Sequence, residues 1–282
     1  MRNHVEWDWK IDTKVNLFNW NLKEIWQYKD LLIRFVRRDL IASYQQTVLG
    51  PFWILLQPIL TTLTYYIIFG RIVKISTEGI PPLLFYMPGI IVWSYFTDCL
   101  NSTMYTFLQN SSLFSKVYFP RLIVPLSSVI SHTIRMLVQL LLFILIYIGY
   151  AVVHQSANIS MTIILLPFLL LLVAAFGLGS GLVISVITAR YRDLDYALQF
   201  IIRLLMFATP VIYPASIVPA HLKTLFWLNP LTPAIETFRT AFFSTNQFEQ
   251  QWLLIAIAIT IIILITGIAL FKKLETKLMD II

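Results

Sequence analysis

The chain has 282 residues, of which 58% are hydrophobic and 12% charged, with 21 Lys and Arg against 14 Asp and Glu for a formal charge of +7. Soluble domains carry about a quarter charged residues, so this balance excludes an ordinary soluble domain and points to an integral membrane protein. The apolar stretches run to about 20 residues, long enough to cross a hydrocarbon core as helices, which excludes a barrel of alternating strands.

Residues 1–47 contain no apolar core followed by a small-residue cleavage site, so no removed signal peptide is expected. From Phe18 to Leu40, the apolar residues Phe18, Leu22, Ile25, Leu32 and Val36 recur at helical spacing among Lys23, Lys29, Arg34 and Arg37. This predicts an amphipathic helix whose apolar face lies either in the membrane interface or on protein. Crossings are then expected at Val48 to Phe69, Phe85 to Leu108, Leu122 to Val153, Met161 to Ile187, Tyr196 to Tyr213 and Trp252 to Phe271. The fifth is short, contains Arg203 and runs into Pro210 and Pro214, where helix propagation becomes unfavourable.

Between the second and third crossings, Gln109 to Pro125 predicts a short helix bounded by the Phe119-Pro120 break. Between the fifth and sixth, Pro214 to Gln251 is too apolar for a solvated loop. There Leu222 to Leu228 and Ala234 to Phe243 are expected as two short helices, broken at Asn229-Pro230 and Pro233. Neither is long enough to span, so a re-entrant or interfacial pair accommodates them. The fold class is thus all-α: residues 1–47 as tail and interface helix, and 48–282 as a six-helix transmembrane domain.

Six crossings put both termini on one side. That side carries Arg2, Lys10, Lys14, Lys23, Lys29, Arg34, Arg37, Arg38, Lys116, Arg121, Arg190, Arg192, Lys272, Lys273 and Lys277, against Arg71, Lys74, Lys223 and Arg239 opposite. The positive-inside rule makes the termini cytoplasmic. The surplus charge then describes orientation and contact with anionic headgroups, with no aromatic-basic fold for nucleic acid beside it.

Two polar series lie inside the spans. Ser94, Asp98, Asn101 and Tyr105 share one face of the second, and Ser128, His132, Arg135 and Gln139 share one face of the third. Charge exposed to acyl chains is costly, so these faces turn inward. They serve either as interhelical hydrogen bonds, with Asp98 paired to Arg135 or Arg203, or as a substrate path in which Arg135 and Arg203 attract an anionic headgroup or pyrophosphate. Gly177, Gly179 and Gly181 read as close helix packing, because no strand precedes them and no phosphate-loop lysine follows. His4, His132, His154 and His221 are scattered without metal spacing, and Cys99 is the single cysteine, so no disulfide forms within the chain. The 8 Trp, 13 Tyr and 20 Phe exceed what interfacial belts require, and aromatic faces suit the C–H faces of sugars.

Ordered blocks carry a resemblance. Arg37-Arg38-Asp39 leads through Tyr44 to Leu49-Gly50-Pro51-Phe52-Trp53 and Pro58. Pro88-Gly89 and Trp93 are followed by Asn110, Leu113, Lys116, Phe119-Pro120-Arg121 and Pro125. Ala189-Arg190-Tyr191-Arg192-Asp193-Leu194, Thr209-Pro210, Tyr213-Pro214, Asn229-Pro230 and Arg239 complete the series. From about Tyr28 to Leu274 the chain resembles the permease subunit of ABC-2 type polysaccharide exporters, which move lipid-linked O-antigen, capsule and teichoic-acid chains.

The resemblance implies an inner-membrane homodimer on two copies of a separate ATP-hydrolysing subunit, with ATP and Mg bound there and no cofactor on this chain. Asn110, Leu113, Lys116, Phe119, Pro120 and Arg121 would form the coupling helix, with Arg190, Arg192 and Asp193 in a second contact. The amino-terminal helix, with Arg37, Arg38 and Tyr44, would border the entry of a lipid-linked glycan from the inner leaflet, and the polar faces of the spans add Asp98, His132, Arg135 and Arg203 as candidates for its path or headgroup. Tyr213, Pro214, Asn229, Pro230 and Arg239 would belong to an outer gate. The competing readings are efflux of a drug or small lipid, a secondary transporter, for which Asp98 is the only buried acid on offer, and an intramembrane transferase, for which no acid-base constellation is present.

Overall fold

The computed structural model describes residues 22–114, 116–117, 119–155, 159–191, 193–244 and 249–279, and every regular element among them is a helix. Residues 18–21 of the expected amino-terminal helix, Arg192, and the side chains of Leu22, Lys23 and Arg190 lie outside the described residues. The amphipathic segment forms α1 (Leu22–Gln27) and α2 (Lys29–Ala42). Its apolar face packs on protein: Phe35 is buried with Phe119, Ile123 and Val124, and Ile25, Leu31 and Leu32 close over them. The outward face mixes Trp26, Ile33 and Ile41 with Lys29, Arg34 and Arg37. The described part of the apolar face packs on protein because the Phe119 to Val124 segment offers it a dry surface.

Among the described residues five helices are long and apolar enough to cross a membrane: Gly50–Ile72, Pro82–Met104, Ile123–His154, Met161–Ala189 and Gln250–Leu274. The first comprises α3 (Trp53–Tyr65), a 3-10 turn before it and a π-helical continuation over Tyr66–Ile72. α4 (Pro82–Met104) opens on a proline, whose missing N–H costs nothing in a first turn. It is followed by the short α5 (Thr106–Phe114), α6 (Ile123–His154) and α7 (Leu166–Arg190), the last preceded by a 3-10 turn at Met161–Leu165.

The expected fifth crossing is shorter than the sequence suggests. α8 (Leu194–Phe207) has 14 residues, about 21 Å at 1.5 Å per residue, and the chain leaves helical geometry over Ala208–Val211. Pro210 is the physical reason: it lacks a donor and disfavours a helical Thr209. α9 (Ala220–Trp227) and α10 (Leu231–Phe243) then fold back, with α11 (Gln250–Met279) last. Asn229-Pro230 separates α9 from α10 as expected. Pro233 does not break a helix; it is the third residue of α10, where the backbone N–H has no intrahelical acceptor to lose.

α4 is the central helix. In its most apolar window 78% is buried, against 11% for Gly50–Ile72. α7 lies between α4 and α11, and its glycines serve the two neighbours alternately. A Cβ at Gly177 would lie 2.8 Å from Cys99 Cβ, and one at Gly181 2.6 Å from Thr103 Cβ, both on α4. Gly179 instead faces α11, where its Cβ would lie 2.8 Å from Leu264 Cα; a Cβ at the opposing Gly267 would meet the Gly179 carbonyl oxygen at 2.6 Å. Small residues here let backbones touch. Gly181→Leu is expected to force α4 and α7 apart at a cost of about 1–3 kcal/mol. A lowered Tm in detergent checks this, and an unchanged Tm contradicts it.

Candidate functional site

The polar face of α4 divides between two neighbours. Ser94 and Asp98 turn into a cavity of about 440 Å³, which Arg135 and Gln139 of α6 also line. Ser43 and Tyr44 enter from the end of α2, Trp53, Gln57, Thr61 and Tyr65 from the α3 region, and Trp93 and Thr97 from α4. Tyr65 donates to Met206 Sδ at 3.3 Å, joining α3 to α8 at the cavity edge.

Local chemistry explains these placements. Pro58 within α3 removes the N–H that would bond the Ile54 carbonyl, and the Gln139 amide donates to that carbonyl at 3.5 Å. Arg135 Nη2 donates to the Asp39 carbonyl at 3.4 Å and also donates to the Ser43 hydroxyl; the guanidinium lies 5.4 Å from the Tyr44 ring. A cation against the last carbonyls of α2 is favoured by the helix dipole. Ser131 donates to the Val36 carbonyl at 3.4 Å and Ser128 to Asp39 Oδ2 at 3.5 Å, so three residues of α6 hold α2.

Asp98 is half-exposed into the cavity, and its near partner is His132, at 3.9 Å from Nδ1 to Oδ2. An ion pair of Asp98 with Arg135 or Arg203 is not formed. Arg203 is exposed on α8 and does not line the cavity, because the inward side of α8 at that height carries Ile202 and Met206. Arg135→Met is expected to free the α2 carboxyl end, read as faster amide exchange over Val36–Ser43. Unchanged protection there contradicts the anchoring role.

Asn101 and Tyr105 face α8 instead of the cavity. The Tyr105 hydroxyl donates to Asp195 Oδ1 at 2.5 Å, while Gln199 Nε2 donates to Asn101 Oδ1 at 2.9 Å and to the Tyr105 oxygen at 3.2 Å. Asp195 and Gln199 are absent from the sequence-derived candidates. Their signal is a polar pair at i, i+4 that repeats the spacing of Asn101 and Tyr105.

At the other end of α4, the expected gate residues converge on the irregular segment after α8. Arg239 is 1% exposed, donates to Glu236 Oε1 at 2.9 Å, to the Val211 carbonyl at 3.2 Å and to the Phe85 carbonyl at 3.4 Å, and lies 3.7 Å from the Phe85 ring. Glu236, at 2% exposure, also accepts from the Ala215 N–H at 3.3 Å. Burial pushes its carboxyl above the usual carboxylate range, with Arg239 opposing. The deeply buried acid is therefore Glu236, not Asp98. Asn229 donates to Thr209 Oγ1 at 2.9 Å and caps the Leu231 N–H at 3.2 Å; Tyr213 donates to the Phe207 carbonyl at 2.6 Å. Pro214 and Pro230 are buried. Gly89 belongs to the same knot, since a Cβ there would come within 2.9 Å of Val211 Cα.

The expected coupling residues separate by burial. Lys116 is exposed beside Val117, Leu113 and Pro120 are half-buried, and Phe119 and Arg121 are buried, with Arg121 5.4 Å from the Phe114 ring. Ser115 and Tyr118 lie outside the described residues. Asn110 marks a kink in α5 and donates to the Thr106 carbonyl at 3.1 Å. Asp193 is exposed immediately before α8, Arg37 is exposed, and Arg38 pairs with Asp39 at 2.8 Å.

Comparison with known proteins gives this geometry a family. The model of the ABC-2 type transporter family matches residues 31–243. An O-antigen export system permease of Klebsiella pneumoniae is 24% identical over 253 residues, covering 90% of this chain and 95% of the relative. One of Myxococcus xanthus is 25% identical over 255 residues, covering 89% and 95%. A polysialic acid transport protein of Escherichia coli is 23% identical over 247 residues, covering 86% and 92%. The family match includes α3 to α10, and with them the cavity, the α4–α8 contact and the Glu236–Arg239 knot. This multi-pass membrane chain belongs to the ABC-2 type transporter family.

Proposed function

We propose that this chain is the permease subunit of an ATP-driven exporter that moves a lipid-linked polysaccharide across the bacterial inner membrane. The observation that carries this reading is the cavity between α2, α3, α4 and α6. Its aromatic faces at Tyr44, Trp53, Tyr65 and Trp93 are interleaved with the amides of Gln57 and Gln139, several hydroxyls and a half-exposed carboxylate. Aromatic planes take the C–H faces of pyranose rings, while amide, hydroxyl and carboxylate groups hydrogen-bond their edges. Arg135 is already engaged by α2 and Asp98 is open to the cavity, so neutral sugar suits this wall better than a pyrophosphate. The relatives named for O-antigen export and polysialic acid transport support a polysaccharide cargo.

In this reading two copies of the chain pair, and two copies of a separate ATPase bind ATP and Mg. The basic residues around α2, α5 and the start of α8 face the cytoplasm, as do both termini. α8 together with Thr209–Pro214 makes the fifth of six crossings, and α9 with α10 dips back from the outer side as the gate, pinned through Arg239 and Asn229. α5 and the Lys116 turn dock on the ATPase. Closure of the ATPase pair can shift the permease only through contacts that differ between its two arrangements, and this surface is where they enter. Cells deleted for the chain are expected to accumulate the polymer internally and to lose it from the surface. Surface polymer at the wild-type level would overturn the reading.

A further inference from the structure

α8 is weakly held along most of its length. Ile202 is its only buried residue among those described, and Tyr196, Phe200, Ile201, Leu204 and Phe207 are exposed. Its specific polar attachment at the amino-terminal end is to Tyr105, the single residue between α4 and α5, where the backbone leaves helical geometry at φ −89°, ψ 6°. Tyr105 thus sits at the junction of α4 and α5 and against the first turn of α8 at once. The Tyr105 hydroxyl donates to a carboxylate oxygen of Asp195, a hydrogen bond to an acidic side chain that is more directional than apolar contact. Gln199, bridging Tyr105 and Asn101, fixes the register of α8 against the last turn of α4.

We infer that the Tyr105–Asp195–Gln199 cluster is a rigid joint that ties the first turn of α8 to the α4–α5 junction, so that a displacement of α5 carries α8 with it. These are positioning residues: they touch neither cargo nor nucleotide. The inference rests on the reading of α5 as the surface that the ATPase drives. Because α8 reaches the cavity at Met206, displacement of its first turn would reshape the cavity wall at its far end.

The test uses the permease assembled with its ATPase and nitroxide pairs on introduced cysteines; Cys99, 0% exposed, stays unlabelled. Gln109→Cys on α5 is paired first with Leu204→Cys on α8 and then with Leu141→Cys on α6. In the otherwise unaltered protein, binding of a non-hydrolysable ATP analogue is expected to change the α5–α6 distance and leave the α5–α8 distance fixed. In Tyr105→Phe and Asp195→Ala the α5–α8 distance is expected to change as well, with export reduced roughly tenfold and basal ATPase retained. Asp195→Glu, which keeps the acceptor, is expected to restore co-movement and export, a rescue that also answers loss through misfolding. An α5–α8 distance that stays fixed in both variants overturns the joint while leaving the exporter reading intact. An α5–α6 distance indifferent to nucleotide overturns the joint together with the docking role of α5.

Discussion

Arg239→Met is expected to destabilise the protein by roughly 3–5 kcal/mol, the cost of leaving one member of a buried pair without its partner. Arg239 joins three parts of the chain: Glu236 on its own helix, Phe85 at the start of α4, and Val211 in the break after α8. Its loss strands the Glu236 carboxylate at 2% exposure and removes a donor from two carbonyls in a region packed against Gly89. The double variant Glu236→Gln, Arg239→Met keeps an acceptor for the Ala215 N–H and removes the uncompensated charge, so it is expected to recover most of the loss. Denaturation in mixed detergent measures both. A single variant as stable as the unaltered protein, or a double variant less stable than the single, contradicts this account of the knot.

Replacing Lys116 and Val117 by serine is expected to reduce export roughly tenfold or more, the scale of a lost coupling free energy, while the assembled complex still hydrolyses ATP. These two residues project from the turn after α5 and bury little within the chain. Phe119 and Arg121, part of the same sequence block, pack against Phe35 and Phe114 and belong to the interior. Phe119→Ala is therefore expected to lower Tm and membrane abundance, not to separate hydrolysis from export. Export and ATPase measured on the same preparations distinguish the two outcomes. Intact export from the Lys116, Val117 variant would contradict docking at this turn.

The spans and their punctuation were legible because they depend on local physics. Apolar length places five of the long helices within a few residues, and Asn229-Pro230 separates α9 from α10 where expected. Proline required more: Pro58 lies within α3 and Pro233 in the first turn of α10, since the cost depends on which carbonyl loses its donor. Pro210 ends α8 before it reaches the length of a crossing, a tertiary outcome that an apolar count does not supply.

The site was legible by residue type and less so by partner. Periodicity assigns Ser94, Asp98, Asn101 and Tyr105 to one face of α4 correctly, yet that face meets the cavity at Asp98 and α8 at Tyr105, about 10 Å further along the helix. Sequence spacing names a face; what stands opposite changes with height. Glu236 shows the same limit. A lone acid three residues before Arg239 looks like a surface pair until α10 is seen to be buried nearly all round. The glycines of α7 were legible as close packing, while their alternation between α4 and α11 follows from the position of α7 between them.

The central claim, that this chain provides the membrane path for a glycan driven by a separate ATPase, is tested most directly in proteoliposomes holding the permease and its ATPase. Lipid-linked polysaccharide is placed in the leaflet facing ATP, and its appearance on the opposite face is followed with a membrane-impermeant lectin. The account predicts ATP-dependent appearance that is absent without the permease and lost when Lys116 and Val117 are replaced. Continued ATP hydrolysis with no glycan on the far side, or glycan transfer without ATP, would contradict it.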